Sequence, residues 1–252
     1  MYDFQRANMW KRISAALLDL ILMVIAVVGF ALLLATVLNY ESYHDRLTAA
    51  YDEYEEIYGV SLDMTAEEYE KLPEPEKALY NMAVKEFSVD QEVNYVYRMM
   101  FNFTLLITIF SFLFGYLLLE FFVPLIFKNG QTLGKKVFGI ALMREDGVRI
   151  TPFMLFARTV LGKYTIETMF PVLILTMIYF GVMGIVGTIA VLGLWLFNLI
   201  LLFATRAHTP IHDKMAHTVA VDMASQMIFD SPEALLEYKK RIHAESVEDM
   251  RS

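Results

Sequence analysis

Three long apolar runs organise the chain: Ile13–Leu38, Met99–Phe127 and Ile166–Thr205. A helix rises about 1.5 Å per residue, so roughly 20 apolar residues cross the ~30 Å hydrocarbon of a bilayer. The first two runs suit one crossing each. The third would make a helix of ~60 Å, twice the bilayer core. A break near Gly184–Thr188, with Gly181, Gly184 and Gly187 beside it, divides it into two spans with a short external turn. The pattern therefore predicts four transmembrane helices. The first run exceeds the ~7–15 apolar residues of a secretory signal and is followed by no small-x-small site, so it reads as a retained span.

Polar stretches between the runs carry their own grammar. Thr65-Ala-Glu-Glu68 has capping-box spacing and opens a short helix ended by Pro73, and a second helix is expected from Glu74 to about Val89. Tyr51–Tyr58 alternates tyrosine with acid, which reads as a solvated helix face, with cation attraction as the sharper alternative. Thr132–Phe138 predicts a short amphipathic helix that offers Lys135 and Lys136 to anionic headgroups. Ile140–Glu145 and Val148–Ile150 flank Asp146-Gly147, a two-residue hairpin signal. Thr151-Pro152 reads as N-cap and first residue of a helix running through Phe153–Lys163 into the third span. Ser231-Pro232 opens a polar helix in the tail.

The predicted fold is all-α membrane: a four-helix transmembrane bundle with a small external helical insertion and a cytoplasmic β-hairpin loop. Residues 1–38 hold the N-terminus and first span, 39–98 an acidic external insertion, and 99–127 the second span. Residues 128–164 form a cytoplasmic loop, 165–205 the third and fourth spans, and 206–252 a cytoplasmic tail.

Composition agrees with this reading. Of 252 residues, 57% are hydrophobic, and the mean hydropathy is +0.45, more apolar than a soluble protein of this size sustains. The net charge of −8 hides an asymmetry that fixes orientation. Segment 39–98 holds fifteen Asp/Glu against five Lys/Arg, whereas 128–165 holds seven Lys/Arg against two Asp/Glu. Arg6, Lys11 and Arg12 precede the first span. Basic loops stay in the cytoplasm, which places both termini inside and 39–98 outside. The acidity carries no implication of nucleic acid, and the absence of cysteine excludes disulfides and thiolate chemistry.

Charges inside the spans are the candidate chemistry. A carboxylate at mid-helix costs roughly 2.5–3.5 kcal/mol on insertion scales, so Asp19 needs a partner, water or a proton. Arg12 lies two turns below it on the same helix face, with Ala15 and Ala16 on that stripe. Glu120 falls at similar depth from the cytoplasmic side, so the two acids form a candidate proton or cation relay. Glu167, four residues after Lys163, is a candidate interfacial pair with it. Arg12, Asp19 and an acid after the last span also make a possible buried ion network that only orders the bundle. His208, His212, Asp213 and His217 lack the HExxH pattern, and no metal site or cofactor is predicted. Gly130-Gln-Thr-Leu-Gly134-Lys135-Lys136 is too short for a phosphate loop and follows a membrane helix rather than a strand.

Three stretches together resemble the RDD family of membrane proteins. They are Trp10-Lys-Arg-Ile-Ser-Ala-Ala-Leu-Leu-Asp19, Gly130-Gln-Thr-Leu-Gly-Lys-Lys-Val-Phe-Gly-Ile140 and His212-Asp-Lys-Met-Ala-His-Thr-Val-Ala-Val221. The resemblance implies Arg12, Asp19 and Asp213 as the naming residues. It implies Gly130, Thr132, Gly134, Lys135, Arg158 and His212 as further motif positions, with Glu120 a little upstream. It also implies a bacterial-type inner membrane. The insertion 39–98 is longer than in simple members.

The expected function is a transporter or ion-coupled permeation protein working through Asp19 and Glu120, with Arg12 and Asp213 as a cytoplasmic ion-pair gate. Its expected partners are the lipid bilayer, a proton or small cation, and further copies in a homo-oligomer. The alternative is an accessory or scaffold protein that presents 39–98 to an external protein partner. An enzyme is not expected.

Overall fold

The computed structural model describes residues 5, 7–179, 183–204 and 210–249. The sequence readings on Arg6, Gly181, Arg206 and His208 lie outside them. Among the described residues, three helices are long and apolar enough to cross a membrane: Met9–Val37, Gln91–Phe127 and Pro152–Ile178. The first, α1, carries Leu17, Leu20, Ile21, Val24, Ile25, Val28 and Leu32 more than half exposed. Water would not tolerate that stripe, and acyl chains match it. The fourth apolar helix, α10 (Ile185–Ala204), is shorter. It begins at Ile185, inside the expected break around Gly184–Thr188, with the Gly187 N–H on the Gly184 carbonyl at 3.1 Å.

The chain divides into two compact units, Val28–Ser111 and Met1–Val27 with Phe112–Ser252. The smaller unit contains α2 (Tyr40–Tyr58), α3 (Ala66–Lys71), α4 (Glu74–Val89) and the start of α5 (Gln91–Tyr116). The Thr65–Glu68 capping box forms as predicted, and α4 has the predicted bounds. The Tyr51–Tyr58 run is amphipathic. Tyr51 and Tyr54 pack on Phe87 at centroid distances of 4.7 and 5.3 Å, while Asp52, Glu53 and Glu56 stay exposed.

In the larger unit two helices change winding. α5 passes through a π-helical segment, Leu117–Phe122, into α6 (Val123–Phe127). α8 (Pro152–Phe156) passes through a longer one, Ala157–Met169, into α9 (Phe170–Tyr179). The short helix α7 (Leu133–Val137) is capped by Thr132, and α8 by Thr151, the latter as the sequence predicts. α12 (Pro232–Asp249) begins where Ser231 accepts the Ala234 N–H at 3.2 Å.

The predicted hairpin forms only as a short closure, with the Arg144 N–H on the Val148 carbonyl at 2.8 Å. A turn does form at Asp146-Gly147, where the Gly147 N–H reaches the Arg144 carbonyl at 3.0 Å. However, strand β1 (Ile140–Arg144) pairs antiparallel with β2 (Thr218–Asp222), from Ile140↔Asp222 to Arg144↔Thr218, and Arg149 makes only an isolated bridge to Met143. Burial explains the choice. Alternate residues of a strand face opposite sides: Ile140 and Leu142 pack with Ala7, Ala15 and Ala220, whereas Ala141 and Met143 pack with Val219, Val221 and Ile228. A strand covered on both faces needs an apolar partner. Thr218–Val221 supplies it along one edge of β1, and the buried Val148 and Ile150 flank the short bridge on the other.

Candidate functional site

The larger unit carries an open pocket of about 640 Å³ whose mostly apolar wall is studded with charged side chains. Arg12, Asp19, Glu120, Lys135, Arg158, Lys163, Glu167, His212 and Asp213 all line it. The structure thus brings together residues from α1, α5, the loop after α6, the α8–α9 helix and the segment following α10.

Asp19 faces this cavity, with its side chain 13% exposed. One of its oxygens accepts the Gly134 N–H at 2.7 Å and the other the Thr132 hydroxyl at 2.5 Å. Lys135 stands 3.7 Å from the same carboxylate and donates to Thr132 at 3.1 Å. The Thr132-Leu-Gly-Lys135 motif is therefore a cradle for one acid. Gly134 is required for the approach to α1, because a Cβ there would clash with the Ala15 carbonyl oxygen and lie 2.8 Å from Asp19 Oδ1. Lys135 does not lie out among headgroups as expected, because the buried acid demands a counter-charge. Burial pushes its ammonium down to about 8, against the pull of Glu120 and Asp19. Lys136 lies over the Phe127 ring at 3.7 Å. Gly130 packs on Leu142 and Ile150, away from the cavity lining.

Glu120 is carried by the first π-helical segment. Pro124, four residues on, has no N–H for the Glu120 carbonyl, and the Thr159 hydroxyl donates to it at 2.9 Å. The Glu120 carboxylate accepts from Lys163 at 2.5 Å and faces the Arg158 guanidinium at 3.6 Å. The expected Lys163–Glu167 pair is replaced. Lys163 serves Glu120, and Glu167 accepts from the His212 backbone N–H at 3.1 Å and lies 2.8 Å from its Nδ1.

Arg158 is the hub. Its Nε donates to Asp213 Oδ1 at 2.6 Å, and the two side chains are 2% and 3% exposed. Thr218 at the start of β2 donates to the same oxygen at 3.0 Å. Burial would raise the Asp213 carboxyl, but the Arg158 guanidinium holds it well below the usual carboxylate range. His212 is pushed down by burial, which outweighs the raising influence of Asp213 and Glu167. α11 (Ile211–Met215) reaches this position because residue 162 is glycine, where a Cβ would meet His212 Cβ at 2.6 Å.

Asp19, Glu120 and Asp213 thus line one chamber, yet each has its own cation: Lys135, Lys163 and Arg158. Arg12 lines the same cavity as Asp19, in line with their shared helix face. The role of Lys163 had no signal in α-helical periodicity. At 100° per residue, Lys163 and Glu167 fall about 140° and 180° from Arg158. The i→i+5 winding of Ala157–Met169 brings residues four to five apart onto one side. Among the described residues no group of three ligating side chains suits a metal ion.

A family model described as the RDD family matches residues 6–217. The chain belongs to the RDD family. Neither the curated proteins nor the solved structures include a match to it. The match spans Asp19, Glu120, the Thr132–Lys135 cradle, Arg158 and Asp213, so the family region and the polar cavity coincide.

Proposed function

We propose that this RDD-family membrane protein is a transporter or ion-coupled permeation protein, with the polar cavity as its substrate chamber. The observation that carries the reading is the convergence of Asp19, Glu120 and Asp213 on one cavity wall. Intramembrane charges mark substrate or ion pathways by default, and ion pairs that a substrate can exchange with suit a binding step that must also release. A proton or small cation is the coupling species. α10 is the fourth span, both termini are cytoplasmic, and the membrane is of the bacterial inner type, following the basic loops. Four spans make a thin pathway, so a homo-oligomer is the working form. The test is flux in proteoliposomes: Asp19→Asn and Asp213→Asn are expected to reduce it at least tenfold. Wild-type flux in both variants sinks the mechanism.

A scaffold reading is favoured by one observation, the compactness of Val28–Ser111 as a unit of its own. Deleting 39–98 would then abolish capture of an external protein partner and leave ion flux unchanged.

A further inference from the structure

α1 meets the rest of the larger unit at few points. Only Ala15 and Met23 are buried along it. Ala15 lies against Gly134, and a Cβ at Gly115 would stand 3.1 Å from Met23 Sδ. Between these two contacts Ala16 and Leu20 line the pocket, and both are exposed. On α10, Trp195 and Leu199 also line it, each more than half exposed. Among the described residues no other helix packs extensively along α1. The mouth of the pocket is therefore a lateral opening between α1 and α10, rimmed by apolar side chains that suit acyl chains rather than water. Charged groups that keep some surface stand behind it: Asp19 and Lys135, each 13% exposed, and Lys163 at 15%.

An occupant must match an apolar mouth and a charged floor at once. A spanning helix of a second copy does not. At about 10 Å across, it would fill the 640 Å³ with roughly 8 Å of its length, one and a half turns. The volume instead falls in the ~300–1,000 Å³ range of small-ligand sites. Water alone would solvate the charges but would not cover the mouth. Hydrogen bonding selects the head. Asp19 has both oxygens engaged, by Thr132 and Gly134, and Glu167 has both engaged by His212. Lys135 and Lys163 have three donors each and make one hydrogen bond apiece among the described residues, to Thr132 and Glu120. We infer that the pocket takes a single-chain amphiphile from the bilayer, its apolar tail between Leu20 and Trp195 and a hydrogen-bond-accepting head, such as a carboxylate, toward Lys135 and Lys163. The inference rests on the reading of the pocket as a substrate chamber and names its substrate class. In the orientation proposed above, entry is from the cytoplasmic leaflet, because the pocket reaches from Met9 to Met23 in the first half of α1.

The chain has two tryptophans, Trp10 and Trp195, so Trp10→Phe leaves a single fluorescent reporter at the mouth. In liposomes of the full-length protein, dibrominated stearate is expected to quench Trp195 saturably at low mole fraction, and unlabelled oleate to reverse the quenching. Butyrate, which has no tail to seat, should not compete. Oleylamine, whose head only donates, should compete at least tenfold more weakly than oleate. Brominated phosphatidylcholine should quench only in proportion to its mole fraction, as surrounding lipid. Ala16→Phe should fill the mouth and remove the saturable part, with folding checked by circular dichroism. Where a variant does not fold, native mass spectrometry of the wild type with the same ligands decides. No saturable oleate binding overturns the proposal, as does butyrate, oleylamine or phosphatidylcholine binding equally well, or saturable quenching that survives in folded Ala16→Phe. Ion flux without oleate binding removes this inference alone, and oleate binding without any flux removes the transport reading alone.

Discussion

Arg158 and Asp213 stand 55 positions apart in the chain and meet at 2.6 Å, both withdrawn from solvent. Removing one partner strands the other, which typically costs about 3–5 kcal/mol. Asp213→Ala is expected to lose that much in reversible detergent unfolding, and Arg158→Ala more, because the guanidinium also faces Glu120. Replacing both by leucine should recover part of the loss. An Asp213→Ala protein as stable as the wild type contradicts the buried pair.

Gly134→Ala puts a methyl group 2.8 Å from Asp19 Oδ1. The cradle must move off the acid, at a cost of about 1–3 kcal/mol by overpacking. Gly29→Ala, where nothing lies within 4 Å, is the control and should be tolerated. Because the same methyl would also clash with the Ala15 carbonyl, equal Tm values for the two variants would show that the cradle does not pack against this stretch of α1.

Acid should weaken the larger unit through His212. Its folded pKa is depressed, so below its ordinary value near 6.5 the unfolded chain takes up the proton first. Stability is then fully present above that pH and falls as pH drops toward the folded value. Glu167 and Asp213 face the ring as acceptors and Arg158 as a cation. His212→Gln should flatten the slope of Tm between pH 6.5 and 5 relative to wild type. A wild-type profile already flat there refutes the assignment.

Lys135 gives a second, alkaline signature. With its ammonium at about 8 against an ordinary 10.5, the folded protein releases a proton that the unfolded chain retains. Stability should rise between those two values and level off on either side. Lys135→Met should remove the rise, as followed by denaturant midpoints across the range. Reductive methylation should label Lys135 near pH 8.5, ahead of lysines with ordinary pKa values once access is equal.

In the smaller unit, Thr65→Ala removes the cap that accepts the Glu68 N–H and should cost about 1 kcal/mol locally. Faster hydrogen exchange confined to α3 is the expected readout, and unchanged exchange would count against the cap.

Local chemistry made much of this fold legible. Thr65 and Thr151 announced their helices because a cap is a contact within three or four residues. Asp19 and Glu120 were legible as charges without a lipid-compatible setting, and Asp213 only through the family resemblance. What escaped depends on distant chain. The long pairing of β1 with β2 escaped, because Thr218–Asp222 lies about 75 residues further along the chain. Lys163 was assigned to Glu167 by α-helical spacing, and π winding redirected it to Glu120. Lys135 was given to lipid because nothing local reveals that Gly134 lets the cradle close on the first helix.

The distance between Asp19 and its cradle also sets an order of events during biosynthesis. The acid enters the membrane with the first helix, but Thr132 follows it by 113 residues. At about 5–20 residues per second, translation needs roughly 6–23 s to supply that hydroxyl. Throughout that interval the nascent chain carries an unsheltered carboxylate in its opening segment, so the insertion machinery, rather than the finished fold, must accommodate it first.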